Sequence, residues 1–139
     1  MPRRFLLRLS LMQPSQLYIS EAKLAQVRAR WCPRRLATLS PIPVKLLDGT
    51  IVSTDGHTRA FAAYREGFAE VPVYWDDDKL DWEAYRVCVA WCRAEGIRTI
   101  RDLEGRIVSP ETYTTCWLER CRAMQEALAV RRHVDDEGS

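Results

Sequence analysis

The stretch "LLDGTIVSTDGHTRAFAAYREGFAEVPVYW", residues 46–75, decides the fold. Two short β-prone runs flank Asp48-Gly49. An Asp-Gly pair in that position is a hairpin signal, because both residues tolerate positive φ. From His57 to Glu66 the spacing turns helical, with Ala60, Phe61, Ala63 and Tyr64 available for a buried face and Gly67 as the stop. "AEVPVYW" then reads as a strand. The junction between hairpin and helix gathers Thr54, Asp55, Gly56, His57, Thr58 and Arg59, including one of the two histidines in the chain.

Upstream, "FLLRLSLMQPSQLYI" predicts a strand and a loop broken at Pro14. "SEAKLAQVRARW" predicts a helix with Ser20 as its cap and Ala22, Leu24, Val27 and Trp31 as apolar positions. "CPRRLATLSPIP" is a proline-punctuated connector. Downstream, "DDDKLD" is a polar turn, and Asp81 caps a helix, "WEAYRVCVAWCRAEG", that stops at Gly96. "TIRDLEGRIV" is compatible with a short helix and turn, without settling it. Ser109, Pro110 and Glu111 open a final helix, and "HVDDEGS" is expected to fray. The fold class expected is α/β (α+β): a small mixed sheet with helices over residues 1–79, and a helical C-terminal extension over 80–139 packed on the same domain.

With 139 residues and 47% hydrophobic side chains, the chain can bury one real core. Its 21 basic and 19 acidic side chains leave a net charge of +2. That near-balance argues against duplex DNA as a partner. The basic residues are nearly all arginine, a bias that GC-rich coding also produces. No apolar run approaches the length of a membrane span. The start, "MPRRFLLRLSLMQPSQ", is interrupted by Arg8 and has no small-residue cleavage site, so it reads as a strand and not as a signal peptide. Five cysteines, an odd count without framework spacing, imply reduced thiols and a cytoplasmic location.

Two readings of the junction use the same geometry. In the first, Asp55 is an ordinary N-cap, Gly56 permits the sharp turn, and Thr58 and Arg59 are solvated first-turn residues. In the second, the unpartnered amides and partial positive charge of a helix N-terminus form an anion site. Gly56 allows close backbone approach. His57, Thr58 and Arg59 offer amides, a hydroxyl and a five-donor guanidinium to one phosphate. Asp55 would then cap the helix, hold a divalent cation or accept a proton from an attacking hydroxyl.

"DGHTRAFAAYREGFAEVPV" resembles the signature of the ParB/sulfiredoxin superfamily: a Gly-x-x-Arg, a small-residue helix, a Gly turn and a Val-Pro-Val strand. Here those are Gly56, Arg59, Ala62-Ala63, Gly67 and Val71-Pro72-Val73. "MQPSQLYISEAKL" and "PIPVKLLDGTIVSTDG" resemble the opening segments, so the likeness covers about residues 8–75. The region after residue 80 has no counterpart in it. The resemblance implies a small α/β fold whose Gly-x-x-Arg loop holds nucleotide phosphates, with Thr54 beside that loop.

The branches of this superfamily differ in chemistry. Sulfiredoxins carry a cysteine directly after the motif glycine, where this chain has His57, which speaks against sulfinic acid repair. ParB partition proteins bind CTP through a more basic loop and carry a DNA-binding helix-turn-helix that the C-terminal segment does not resemble. The free serine kinases have a loop similar to Asp55, Gly56, His57 and Arg59, and transfer phosphate from a nucleotide to a small hydroxyl compound. Their glutamate base aligns with Gln16, which cannot take a proton, leaving Glu21, Asp55 or His57 as catalytic candidates. This likeness implies ATP or ADP, or else CTP, with Mg²⁺ as the cofactor. The competing reading is a non-catalytic interaction module whose C-terminal helices bind a partner protein or form a homo-oligomer; a third, a DNA-binding ParB relative, predicts salt-sensitive duplex binding, and the modest net charge argues against it.

Other clusters have ordinary explanations. Asp76, Asp77 and Asp78 could hold Mg²⁺, but acidic turns before helices also suit the helix dipole. Cys88 and Cys92 share a helix face, and Cys116 and Cys121 lie on the last helix, without the spacing of a zinc site. Tyr85, Trp91, Tyr113 and Trp117 suit helix packing. Arg28, Arg30, Arg34 and Arg35 gather before the connector, where one or two could reach outer phosphates. Lys45 could face the phosphate from the adjoining strand, but the alternation along "VKLLDG" leaves its face open.

Overall fold

The computed structural model describes residues 3–138, of which Gly138 is described by its backbone alone. Met1 and Pro2 of the expected first strand, and Ser139 of the tail, lie outside the described residues.

The hairpin forms as its turn chemistry requires. Strands β3 (Ile42–Leu47) and β4 (Thr50–Ser53) are antiparallel, with Val44 opposite Ser53. Asp48 and Gly49 take φ of 51° and 81° at the turn, the left-handed pair that a two-residue hairpin needs. Strand β5 (Glu70–Trp75) lies parallel to β3, Ile42 opposite Val73, and strand β1 (Arg4–Arg8) closes the other side antiparallel, Leu6 opposite Pro72. The sheet order is β1-β5-β3-β4.

Helix α2 (His57–Arg65) connects β4 to β5 and buries Ala60, Phe61, Ala62 and Ala63 in the main core with Ile42, Val44, Val71 and Val73. Three alanines let its backbone approach the sheet closely, while Phe61 fills the volume between them. Gly67 (φ 90°) stops the helix: its amide reaches the Tyr64 carbonyl, and the Phe68 amide the Ala63 carbonyl. Helix α1 (Glu21–Arg30) starts at Ser20, whose hydroxyl accepts from the Lys23 amide, and packs beside α2.

Beyond residue 80, α3 (Trp82–Ala94) is capped by Asp81, which accepts from the Ala84 amide at 3.2 Å. Leu47 and Val52 of the hairpin pack with Val89 of this helix in a second small cluster. The segment left open by the sequence is a 3₁₀ turn, Ile100–Leu103, closed by a reciprocal Thr99–Asp102 capping box. It is followed by a two-residue strand β6 (Ile107–Val108), parallel to strand β2 (Ile19–Ser20). The extension is therefore not wholly helical.

Helix α4 (Pro110–Tyr113) begins at the Ser109 cap and passes through a π turn, Thr114–Leu118, into helix α5 (Glu119–Gly138). Tyr113 and Trp117 are both buried in the main core. The expected fraying of "HVDDEGS" is not what the structure shows, because α5 runs to Gly138. Its Arg131 pairs with Glu83, Arg132 with Asp81 and Glu83, and His133 with Glu137 one turn on. Among the described residues no helix is long and apolar enough to cross a membrane.

Candidate functional site: a basic cleft at the N-terminus of α2

The loop from β4 to α2 is shaped by Gly56, which takes φ 72° and is itself the N-cap residue. Asp55 had been a candidate for that cap, but no side chain caps the helix and Asp55 remains exposed. The first intrahelical bond runs from the Ala60 amide to the Gly56 carbonyl at 3.0 Å. A helix start without a side-chain cap leaves its first amides available to an external acceptor.

These amides open onto a cleft of about 260 Å³ lined by Asp55, Gly56, His57, Thr58 and Arg59 from the loop, Lys23 and Arg30 from α1, Tyr113 from α4, and Gln16. Three cations meet one carboxylate there. Lys23 and Arg30 are seven residues apart, two helical turns, so both fall on the side of α1 that faces the cleft. The Lys23 ammonium lies 4.9 Å over the Tyr113 ring. Burial pushes the Tyr113 phenol up to about 12, so it is a neutral platform at physiological pH.

His57 is only 3% exposed. Its Nε2 accepts the Ser15 amide at 2.9 Å and lies 3.0 Å from the Ser53 hydroxyl. Because Nε2 is the acceptor, the neutral ring carries its proton on Nδ1. That Nδ1 is the buried side-chain atom without a hydrogen-bond partner among the described residues. Burial lowers the pKa to about 4, with Asp55 opposing and Arg59 reinforcing the shift. His57 is therefore uncharged near neutrality, and its basic lone pair is taken up by the backbone of Ser15.

Arg59 is also partly committed. Its Nε donates to the Ser40 carbonyl at 3.3 Å and Nη2 to the Pro41 carbonyl at 3.1 Å. The guanidinium lies so close to Gly56 that a Cβ there would sit 2.9 Å from Nη2. Arg59 thus ties the connector to the loop while still lining the cleft, and not all five donors are free for one phosphate.

Thr54 and Glu21 stand apart from the other predicted site residues. The Thr54 hydroxyl donates to Asp76 at 2.7 Å and Thr54 lines a neighbouring cavity, while Glu21 is the first residue of α1, outside the cleft lining. Asp76 is buried in that bond and accepts the Asp78 amide. No His, Cys, Asp or Glu cluster among the described residues has the arrangement of a metal site. Of the arginines before the connector, Arg28 and Arg34 pair with Glu66, and Arg30 alone reaches the cleft. Lys45 lies 5.2 Å over the Trp82 ring, away from it.

No protein-family model and no curated protein matches the chain. Among solved structures, protein Atu1540 from Agrobacterium tumefaciens, which has the ParB/sulfiredoxin fold, superposes on 74% of this chain with a TM-score of 0.50 and 15% identity. The chain has the ParB/sulfiredoxin fold. It spans 62% of the length of the Agrobacterium protein. Sulfiredoxin from Arabidopsis thaliana is also similar, over 63% of this chain and 98% of its own length, at 20% identity and a TM-score of 0.46. Identities this low speak for the backbone arrangement alone. On the ParB/sulfiredoxin backbone, the structure brings Asp55 through Arg59 together at one cleft. It adds Lys23 and Tyr113, which the sequence did not single out for that place. Tyr113 is 90 residues from Lys23, so no local pattern links them.

Proposed function

We propose that the cleft binds the phosphates of a nucleotide, ADP or ATP or else CTP. The observation that carries this reading is the convergence of Lys23, Arg30 and Arg59 on the uncapped first turn of α2. Charge-assisted hydrogen bonds from these side chains and from the amides of His57 and Thr58 suit phosphate oxygens. Asp55 is the carboxylate of the cleft lining, and in this reading it would share Mg²⁺ with those oxygens. The metal would neutralise phosphate charge.

Phosphoryl transfer to a small hydroxyl compound, such as free serine, is the finer form of this reading. Transfer of this type depends on positioning and charge neutralisation more than on covalent chemistry by the protein. Asp55 is the residue in the cleft able to take the proton of an acceptor hydroxyl. His57 is poorly suited as a base, with Nε2 already accepting a backbone amide. Gln16 lines the cleft with its amide donating to the Tyr18 carbonyl at 2.8 Å. That uncharged side chain favours the second reading, a non-catalytic module in which the cleft senses a nucleotide and the C-terminal helices engage a partner.

Calorimetric titration of ADP, ATP and CTP into wild type and Lys23→Ala, with and without Mg²⁺, tests the binding. Saturable binding that weakens about tenfold in Lys23→Ala is expected from the loss of one charge-assisted contact. Equal affinity in both proteins, or no binding to either, refutes the proposal. Labelled ATP with serine then separates the two readings. Phosphoserine formation abolished by Asp55→Asn supports transfer, and nucleotide binding without product supports the sensing module.

A further inference from the structure

We propose that the cavity between the junction loop and helices α3 and α5 is a second ligand site, which takes a small uncharged alcohol with an apolar body. The alcohol is the phosphate acceptor if the transfer reading above holds, and that role alone rests on it. The cavity measures about 330 Å³, within the range of roughly 300–1,000 Å³ that small-molecule sites occupy. Ser15, Thr54, His57, Cys88 and Trp117 form its buried side, and Asp81 and Gln125 are exposed at its rim. Gln16 and His57 line the basic cleft as well, so the two spaces share a wall.

The wall disfavours a charged ligand. Among the described residues that line it none is a lysine or arginine, and its carboxylate, Asp81, is occupied. Asp81 accepts the Ala84 amide at 3.2 Å and pairs with Arg132 at 2.8 Å. An incoming carboxylate finds no cation here, and an ammonium has to displace Arg132, so neither charge is offset for leaving water. A zwitterionic amino acid such as serine meets both obstacles. The polar part of the wall instead asks for a neutral donor, because three of its hydroxyls have already given their protons to the protein. Ser15 donates to the Ser53 carbonyl at 2.7 Å, Thr54 to Asp76 at 2.7 Å, and Tyr85 to the Thr54 carbonyl at 3.0 Å. Burial pushes the Tyr85 phenol up to about 12, so it stays neutral. What these oxygens have left to offer is lone pairs, and an alcohol O–H meets them without bringing a charge. Leu80, Ala84, Cys88, Trp117 and Met124 supply the apolar surface for the rest of the molecule, with the Met124 thioether able to adapt to its shape.

The test is NMR titration of the protein, labelled with ¹³C at its methionine methyl groups, with 2-phenylethanol and without nucleotide. Met124 lines the cavity, whereas Met12 is buried in the main core, and Met124→Leu assigns the Met124 signal. A saturable shift of that signal, with Met12 unmoved, is expected. Ethylbenzene, which lacks the donor, should bind about tenfold more weakly, the worth of one hydrogen bond. The 2-phenylethylammonium ion and serine should be weaker by at least about the same factor. An unmoved Met124 signal, or equal binding of ethylbenzene, the ammonium ion or serine, overturns the proposal. Added ADP and Mg²⁺ should leave the alcohol in place; its displacement would put it in the basic cleft and overturn the separate site. Failure of ADP to bind refutes the phosphate reading alone, because the Met124 shift is measured without it.

Discussion

The backbone amide of Ser15 donates to Nε2 of His57 across 2.9 Å, joining the loop after β1 to the first residue of α2. The Ser15 hydroxyl reinforces the joint by donating to the Ser53 carbonyl at 2.7 Å. The imidazole is therefore a fixed acceptor at the floor of the cleft, and protonating Nε2 would break its bond to Ser15.

A pH dependence of stability follows. The folded-state pKa of His57 is about 4, against 6.5 in the unfolded chain, so the unfolded state binds more protons between those values. The stability contributed by the neutral ring is fully present above pH 6.5 and is lost progressively as pH falls toward 4. The full linkage is on the order of 3 kcal/mol. Urea unfolding of wild type and His57→Gln between pH 5 and 7 measures it. Wild type should lose stability on acidification through this range while the variant profile stays nearly flat; parallel profiles would exclude the linkage.

Gly56→Ala should destabilise the fold by about 1–3 kcal/mol, the usual cost of a left-handed non-glycine residue. The added methyl would also sit 2.9 Å from the Arg59 guanidinium and 3.2 Å from Cγ1 of Ile42. The Arg59 side chain can move away, but doing so loosens its hold on the Ser40 and Pro41 carbonyls. A lower urea midpoint with an unchanged slope is the expected signature.

Thr54→Val removes the hydroxyl that donates to Asp76 at 2.7 Å and leaves a buried carboxylate short of a partner. The expected loss is about 1–3 kcal/mol. Chemical denaturation at neutral pH checks it. A loss below the error of that measurement would mean that water takes over the hydroxyl's role.

Arg132 binds Asp81, the cap of α3, at 2.8 Å and Glu83 at 2.7 Å. The Arg132 hydrogen bond is the main cause holding the Asp81 carboxyl below its ordinary 3.8. Arg132→Ala should lower the melting temperature in dilute buffer, by less as salt screens the pair. The stability contributed through Asp81 is present above pH 3.8 and lost as pH falls further, so the gap between wild type and variant should also shrink in acid. Thermal melts over a salt and pH grid provide the readout.

Features carried by short-range chemistry were legible in the sequence. Asp48-Gly49 turns the hairpin, Ser20, Asp81 and Ser109 cap their helices, and Gly67 ends α2, each acting within a few residues. The grouping of Asp55 through Arg59 was legible for the same reason. What the sequence concealed depends on distant partners. The burial of His57 is set by Ser15, the aim of Arg59 by Ser40 and Pro41, and the entry of Lys23 and Tyr113 into the cleft by the packing of α1 and α4. The β6 strand escaped notice because two residues carry no periodicity, and α5 outlasts its own weak helical pattern through the pairs of Arg131 and Arg132 with the start of α3.

The parallel pairing of Ile19 with Ile107 has a bearing on how the cleft comes into being during synthesis. A nascent chain that has reached Trp75 possesses every strand of the main sheet and the whole of α2, yet Ile19 and Ser20 have nothing to pair with and Lys23 has no ring beneath it. The origin of α1 becomes pinned only when residues 107–113 leave the ribosome. Anion binding, if followed on stalled nascent chains of increasing length, should switch on late and abruptly, long after the loop that names the motif has been made.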